Sequence, residues 1–255
     1  MKQLGLAALA AALSFIFVSG VDAQRRIARV PAKSPAPARA PEVGKYATVV
    51  DELLSVLRPK PSLFSEPVQR MRLGRKVRIL AVAEADGVKF FRVQALPNSI
   101  GWVQADAVFG TFRPDDDARM ARLVQATRGF EQIELAKTFF ELFPDSKFRA
   151  PILLLYGDIV EESALRLSRD AARLSRQEMA AGGAPMHSYF LNFNMLDRYR
   201  RLGIIFLFNP ETKQFHYDGA SWREIIAKHP ASPEAVEAQR RVDSIKAKMS
   251  LKSPQ

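Results

Sequence analysis

Three histidines, His187, His216 and His229, are the side chains whose ordinary pKa suits general-base work near neutral pH. None stands in a His-Glu-x-x-His arrangement, and no two have metal-ligand spacing. The chain has no cysteine, which removes thiolate nucleophiles, thiolate metal sites and disulfides. His229 falls in an inter-helix turn, where it is expected to meet the last carbonyls of the preceding helix. His216 falls on one face of a short hairpin. Carboxylate pairs serve glycoside cleavage as acid and base across the bond. The dense acidic spots, Glu161-Glu162 and Asp115-Asp116-Asp117, fit a solvated helix face and a helix start better. Gly74 and Gly182-Gly183 lack the contexts that cradle phosphates, and there is no Gly-x-Ser-x-Gly elbow. This inventory predicts a protein that is not an enzyme, with no metal and no cofactor.

The chemistry that remains is binding. Arg70, Arg72, Arg75, Lys76 and Arg78 form the densest basic cluster. On strands, the period of two puts Arg70 with Arg72 and Lys76 with Arg78. That spacing makes either an anion-binding strip or a solvated outer face. Trp102, Phe90 and Phe91 have faces that stack on a sugar or a peptide. Alternation sends Phe90 and Phe91 to opposite sides of a strand, so at most one of them is expected in the core. Trp222 and Tyr217 read as core.

The elements that must hold these groups are β in texture from Tyr46 to Phe112. Strands are expected near 46–50, 54–57, 68–73, 76–83, 89–95 and 101–104, with a hairpin turn at Ala85-Asp86-Gly87. Short strands at this spacing predict a small barrel over residues 43–112. The pattern Leu54-Ser55-Val56-Leu57-Arg58-Pro59-Lys60-Pro61, then Gly74 before Lys76-Val77-Arg78-Ile79-Leu80, then Phe90 and Val93, then Gly101-Trp102-Val103, resembles the bacterial SH3 family. Two positions depart from the family pattern: Phe90, where tryptophan is commoner, and the Arg58-Pro59 junction, where small residues are usual. The resemblance implies a β-barrel whose ligand would lie on its surface, at Arg58 and the basic and aromatic residues above.

From residue 113 to 250 the texture is helical. Helices are expected from the Asp115-Asp116-Asp117 start, over 131–143, from 147 to about 180, over 189–202, and as a final pair over 221–228 and 233–249. Residues 204–208 and 214–217 read as an inserted β-hairpin. One theme occurs twice: Phe143-Pro144-Asp145-Ser146 and His229-Pro230-Ala231-Ser232 each place a Pro that ends one helix and a Ser that caps the next. With Gly157, a small residue where paired helices pack closely, these junctions resemble tetratricopeptide repeats of periplasmic assembly proteins. The resemblance implies two divergent helix pairs, separated by an insertion, that dock a partner protein.

The first 23 residues carry Lys2, an apolar stretch from Leu4 to Val18, and Val21-Asp22-Ala23, the pattern of a secretory signal cleaved near Ala23. An uncleaved anchor is the alternative. Residues 24–42 hold four prolines and five basic residues against one acid, and read as an extended linker. The formal charge is +11. It favours an anionic envelope surface or peptidoglycan carboxylates as partners; export argues against nucleic acid. Charged residues at 25 % and apolar residues at 47 % are those of an ordinary globular core. The expectation is an exported α+β binding or scaffold protein, periplasmic or extracellular, with peptidoglycan or another envelope protein as partner. The alternatives are a structural accessory in which the barrel is a spacer and, less favoured, a cell-wall hydrolase.

Overall fold

The computed structural model describes residues 40–250, apart from 96, 97 and 184 and the side chains of 174–182, 186 and 187. The expected signal segment, nearly all of the linker and the side chain of His187 lie outside the described residues.

Alternation of Val77 and Ile79 with Lys76 and Arg78 makes a strand with one buried face, and the β-half of the chain is built on it. The strands are β1 (Tyr46–Val49), β2 (Val56–Leu57), β3 (Gln69–Arg70), β4 (Lys76–Ala85), β5 (Val88–Ala95), β6 (Ser99–Gln104) and β7 (Val108–Phe109). Five form an antiparallel sheet in the order β6-β5-β4-β1-β7. Asp86 and Gly87 join β4 to β5 with φ values of 53° and 73°, the left-handed pair that matches strand twist in a tight hairpin. A bulge between Ile79 and Ala81 bends β4.

The expected barrel does not close. β6 and β7 are the two edges of the sheet, and β2 and β3 pair separately. β2 reaches the sheet through one bridge, Arg58 to Trp102. Gly101 permits that approach, because a Cβ there would lie 2.6 Å from Leu57 Cγ and 2.8 Å from the Arg58 carbonyl oxygen. Leu57, Met71, Val77, Ile79, Phe91 and Val103 fill the inner face.

The helices are α1 (Asp116–Ala126), α2 (Gly129–Leu142), α3 (Arg149–Gly182), α4 (Met186–Leu191), α5 (Asp197–Arg201), α6 (Ala220–Lys228) and α7 (Pro233–Ser250). The hairpin β8 (Phe206–Asn209) and β9 (Gln214–Tyr217) lies between α5 and α6. A single helix over 189–202 is not formed. The chain breaks after Leu191 and passes through a 3-10 turn at 194–196, and Phe190, Phe193, Leu196 and Tyr199 all turn inward. The aspartates at the start of α1 also differ from expectation. Asp115 has φ 64° and makes no side-chain cap, while Asp116 is buried and receives Arg113, Arg119 and the Gly110 N–H.

α3 is the axis of the helical half. At Gly157 it meets Trp222 of α6 so closely that a Cβ would sit 2.3 Å from the indole Nε1. About one and three turns along, α3 serves the hairpin as a substitute strand: Glu161 Oε2 accepts the Tyr217 N–H and Ser168 Oγ accepts the Phe215 N–H. The helical core, which includes Met120, Leu135, Phe139, Val160 and Trp222, also takes in Val50 and Phe109 from the sheet side. Sheet and helices therefore share buried surface. Arg113 reinforces the join. It donates to the carbonyls of Ala105 and Val108, pairs with Asp116 at 3.0 Å, and lies over the rings of Phe91, Phe109 and Phe112.

Candidate ligand-binding face

The outer side of the sheet collects groups that sequence spacing keeps apart. Strand register aligns Tyr46 of β1, Arg78 of β4, Gln94 of β5 and Ile100 of β6 in one row. At about 4.8 Å between strands the row spans roughly 14 Å. The next row places Arg92 opposite Trp102, and Trp102 opposite Arg58. Tyr46, Lys76, Arg78, Arg92 and Ile100 are exposed and Trp102 is half-buried. The face is thus cationic, with an aromatic at Tyr46 and another at Trp102. It offers guanidinium forks to carboxylates and flat rings to sugars or peptide planes.

Not all of the expected residues belong to it. Phe90 and Phe91 are both fully buried, which corrects the expectation that only one would be core and removes both as stacking platforms. Phe91 joins the inner core of the sheet. Phe90 lies on the opposite side, toward the hairpin tip, where Ser62 Oγ and the Leu63 N–H are held by Asp86. Arg58 spends a guanidinium N–H on the Ser65 carbonyl and holds the loop after β2. Arg70 and Arg72 are exposed but belong to the separate β2–β3 ribbon and the turn beyond it, and Arg70 donates to the carbonyls of Glu52 and Leu53 at 2.7 and 3.1 Å. Lys76, Arg78 and Trp102 remain. Tyr46, Arg92, Gln94 and Ile100 enter through register alone, which the sequence shows only as polar and apolar alternation.

No protein-family model matches this chain, and no curated protein or solved structure matches it either. The reading of its sites rests on geometry.

The two helix junctions differ. Ser146 accepts the Phe148 N–H at 3.2 Å and donates to Asp117 at 2.7 Å, so it caps the start of α3 after the exposed Pro144. Ser232, after Pro230, keeps its backbone turn to His229, but its buried hydroxyl makes no hydrogen bond among the described residues; the expected cap is absent there. His229 likewise uses its backbone N–H on the Ile225 carbonyl, and its ring Nε2 has no partner among the described residues.

Glu161 is not solvated. It is buried on α3, accepts His216 Nδ1–H and Lys248 Nζ–H at 2.9 Å each, and takes the Tyr217 N–H at 2.8 Å. Burial pushes its carboxyl up, but the bonds from His216, Tyr217 and Lys248 outweigh this and hold it below the ordinary carboxylate range. The cluster ties α3, β9 and α7 together.

Two further clefts differ in character. One, of about 560 Å³, lies between β8, α6 and α7; Leu207, Ile226, Val242, Ile245 and Met249 form its apolar wall. The other, of about 570 Å³, is acidic, with Asp51, Glu52, Glu131 and Glu134 around Leu73 and Leu123. There burial, then the charges of Glu52 and Glu131, push the Glu134 carboxyl up. Among the described residues no group of three His, Asp or Glu side chains is placed to hold a metal ion.

Proposed function

We propose that the protein is a non-catalytic binding and scaffold protein of the cell envelope. In this reading the outer face of the sheet contacts peptidoglycan, and the helices dock a partner protein through the apolar cleft beside α6 and α7. The observation that carries it is the cationic, aromatic face, with Arg78, Arg92 and Trp102 on adjacent strands. Peptidoglycan offers both matching groups, peptide carboxylates for the arginines and sugar rings for the indole. The bacterial-SH3 resemblance belongs to the same reading: Gly101 and Trp102, which carry it most strongly, are the residues where β2 meets β6. The envelope location rests on the signal-like first 23 residues.

Co-sedimentation with purified sacculi tests the proposal, with the wild-type chain beside Arg78→Glu, Arg92→Glu and Trp102→Ala. Binding that survives moderate salt and drops in all three variants is the expected result. Binding that disappears with salt, or that the three variants leave untouched, overturns it. A second reading makes the sheet a spacer for the helices. The burial of Val50 and Phe109 in the helical core favours it, since a spacer must be rigidly joined to what it carries. In that case the sheet-face variants bind their partners like wild type.

A further inference from the structure

The segment from α4 to β8 is apolar on its inner side and partly apolar on its outer side. Its inward residues, Phe193, Leu196, Tyr199 and Ile204, complete the helical core. Its outward residues include three apolar side chains and two neighbouring arginines. Leu191, Met195 and Ile205 are 41, 43 and 59 % exposed, and Arg200 and Arg201 are exposed between them. The pieces are contiguous in space as well as in sequence. Arg200 Nη2 donates to the Leu191 carbonyl and Nη1 reaches Asp197 at 3.2 Å, while the N–H groups of Leu202 and Ile204 return to the Tyr199 carbonyl. Residues 191–205 hold three arginines against one acid, Asp197.

None of the three apolar tips lines either cleft described above or a third, of about 480 Å³, that Arg201, Leu202 and Gly203 border together with Glu134, Lys137 and Glu141. They are partly exposed to solvent. A protein partner needs a concavity or a continuous apolar patch to exclude water, whereas a bilayer accepts isolated apolar tips that sink below its headgroups. Arginines at the same level meet phosphates with a bidentate fork.

We propose that residues 191–205 form a seat for an anionic lipid surface, with Leu191, Met195 and Ile205 entering the headgroup–acyl boundary and Arg200 and Arg201 binding lipid phosphates. The seat is distinct from the cationic sheet face and does not depend on the function proposed for it. Its contact with the bilayer is peripheral, and among the described residues no helix is long and apolar enough to cross a membrane.

The test uses residues 39–255, which contain both hydrophobic cores and leave out the apolar N-terminus and most of the basic linker. The expected result is co-sedimentation with phosphatidylglycerol-containing vesicles and none with pure phosphatidylcholine. Changing Arg200 and Arg201 together to Gln should weaken the partition roughly 30-fold, from the contribution typical of a basic residue near an anionic surface. Arg200 also bonds within the fold, so Ile205→Ser provides a second variant whose side chain makes no hydrogen bond; it should weaken partition with an unchanged near-ultraviolet spectrum. A Met195→Trp chain reports depth, and its emission should shift to the blue and be quenched by brominated acyl chains. Absent vesicle binding overturns the proposal. So does binding lost in Arg78→Glu and Arg92→Glu but kept in the Arg200, Arg201 variant. An unquenched Met195→Trp indole, or a dimer in solution that Ile205→Ser disperses, overturns it too.

Discussion

Replacing Gly157 with Ala sets two opposed effects against each other. In the interior of an exposed helix the change is favourable by about 1 kcal/mol, because Ala restricts the unfolded chain and propagates the helix better. At Gly157 the new methyl would lie 2.3 Å from Trp222 Nε1, 2.5 Å from Trp222 Cε2 and 2.7 Å from Ser221 Oγ, where ordinary contact begins near 3.4 Å. The overlap is about 1 Å, deep in the repulsive wall. The indole has no room to yield, being fully buried and edge-on to Tyr217 at 5.4 Å. Relief must come from moving α6 off α3, which also stretches the Arg149–Glu224 pair now at 2.7 Å. Overpacking of this kind costs about 1–3 kcal/mol or more, so the net effect is a loss of about 2 kcal/mol. Urea unfolding followed by far-ultraviolet circular dichroism measures it. Trp222→Leu empties the contested space, and in that background Gly157→Ala should become neutral or favourable. The coupling between the two substitutions is then about 2 kcal/mol. A Gly157→Ala chain more stable than wild type, or strictly additive costs in the double variant, would refute the close approach of α3 and α6.

Three other outcomes are expected. Gly101→Ala places a methyl against Leu57 and the Arg58 carbonyl, so it should cost about 2 kcal/mol by the same overpacking rule and expose Trp102 as β2 lifts away from β6, read as a red shift in emission. Arg113→Lys keeps the charge but loses the planar fork over Phe91, Phe109 and Phe112, and should lower stability in urea by about 2 kcal/mol. The acid limb of stability should belong partly to Glu161, whose folded pKa lies below its ordinary value of 4.5. A depressed carboxylate stabilises fully above the unfolded pKa and loses that contribution as pH falls through the folded one, so Glu161→Gln should flatten the fall in melting temperature below about pH 4.5. Glu134→Gln should act in the opposite sense. That carboxyl is raised by burial and by Glu52 and Glu131, so its ionisation opposes folding, and the amide should raise the melting temperature at neutral pH.

Local signals located most elements well. The Asp86-Gly87 turn, the alternation in β4 and the Pro144 stop are written in a few neighbouring residues, and the structure has strands and helix ends there. Failures came where distant contacts decide. Phe190, Phe193, Leu196 and Tyr199 recur every third residue, which resembles a helix face. Stacking of Phe190 on Phe208 at 4.8 Å and an edge-to-face contact of Tyr199 with Phe206 at 5.3 Å instead fix a broken segment around the hairpin. β7 is too short to carry a period. Alternation treats a strand as having one core face, so it could not foresee that Phe90, on the outer side, would also be covered. The candidate face was half legible. Lys76 and Arg78 share a side by spacing, but Arg92 and Tyr46 join them only once register is known. A signal for Glu161 was present and unread: Gly157, Glu161, Ala164, Ser168 and Ala171 form a small and polar stripe on α3, and the hairpin and α6 lie against it.

The placement of Val50 and Phe109 has a consequence for synthesis. The helical core that takes them in comes later in the chain, with Leu123 and Leu135 beside Val50 and Arg119 over Phe109, so a nascent sheet has completed its hydrogen bonds on β1 while part of its apolar surface still lacks a cover. Contacts this far apart in sequence are slow to close. The sheet half should therefore leave the ribosome as a sticky intermediate that becomes protease-resistant only after the first helices have docked. A chain cut anywhere between the two halves would be cleared rather than accumulate as a free domain.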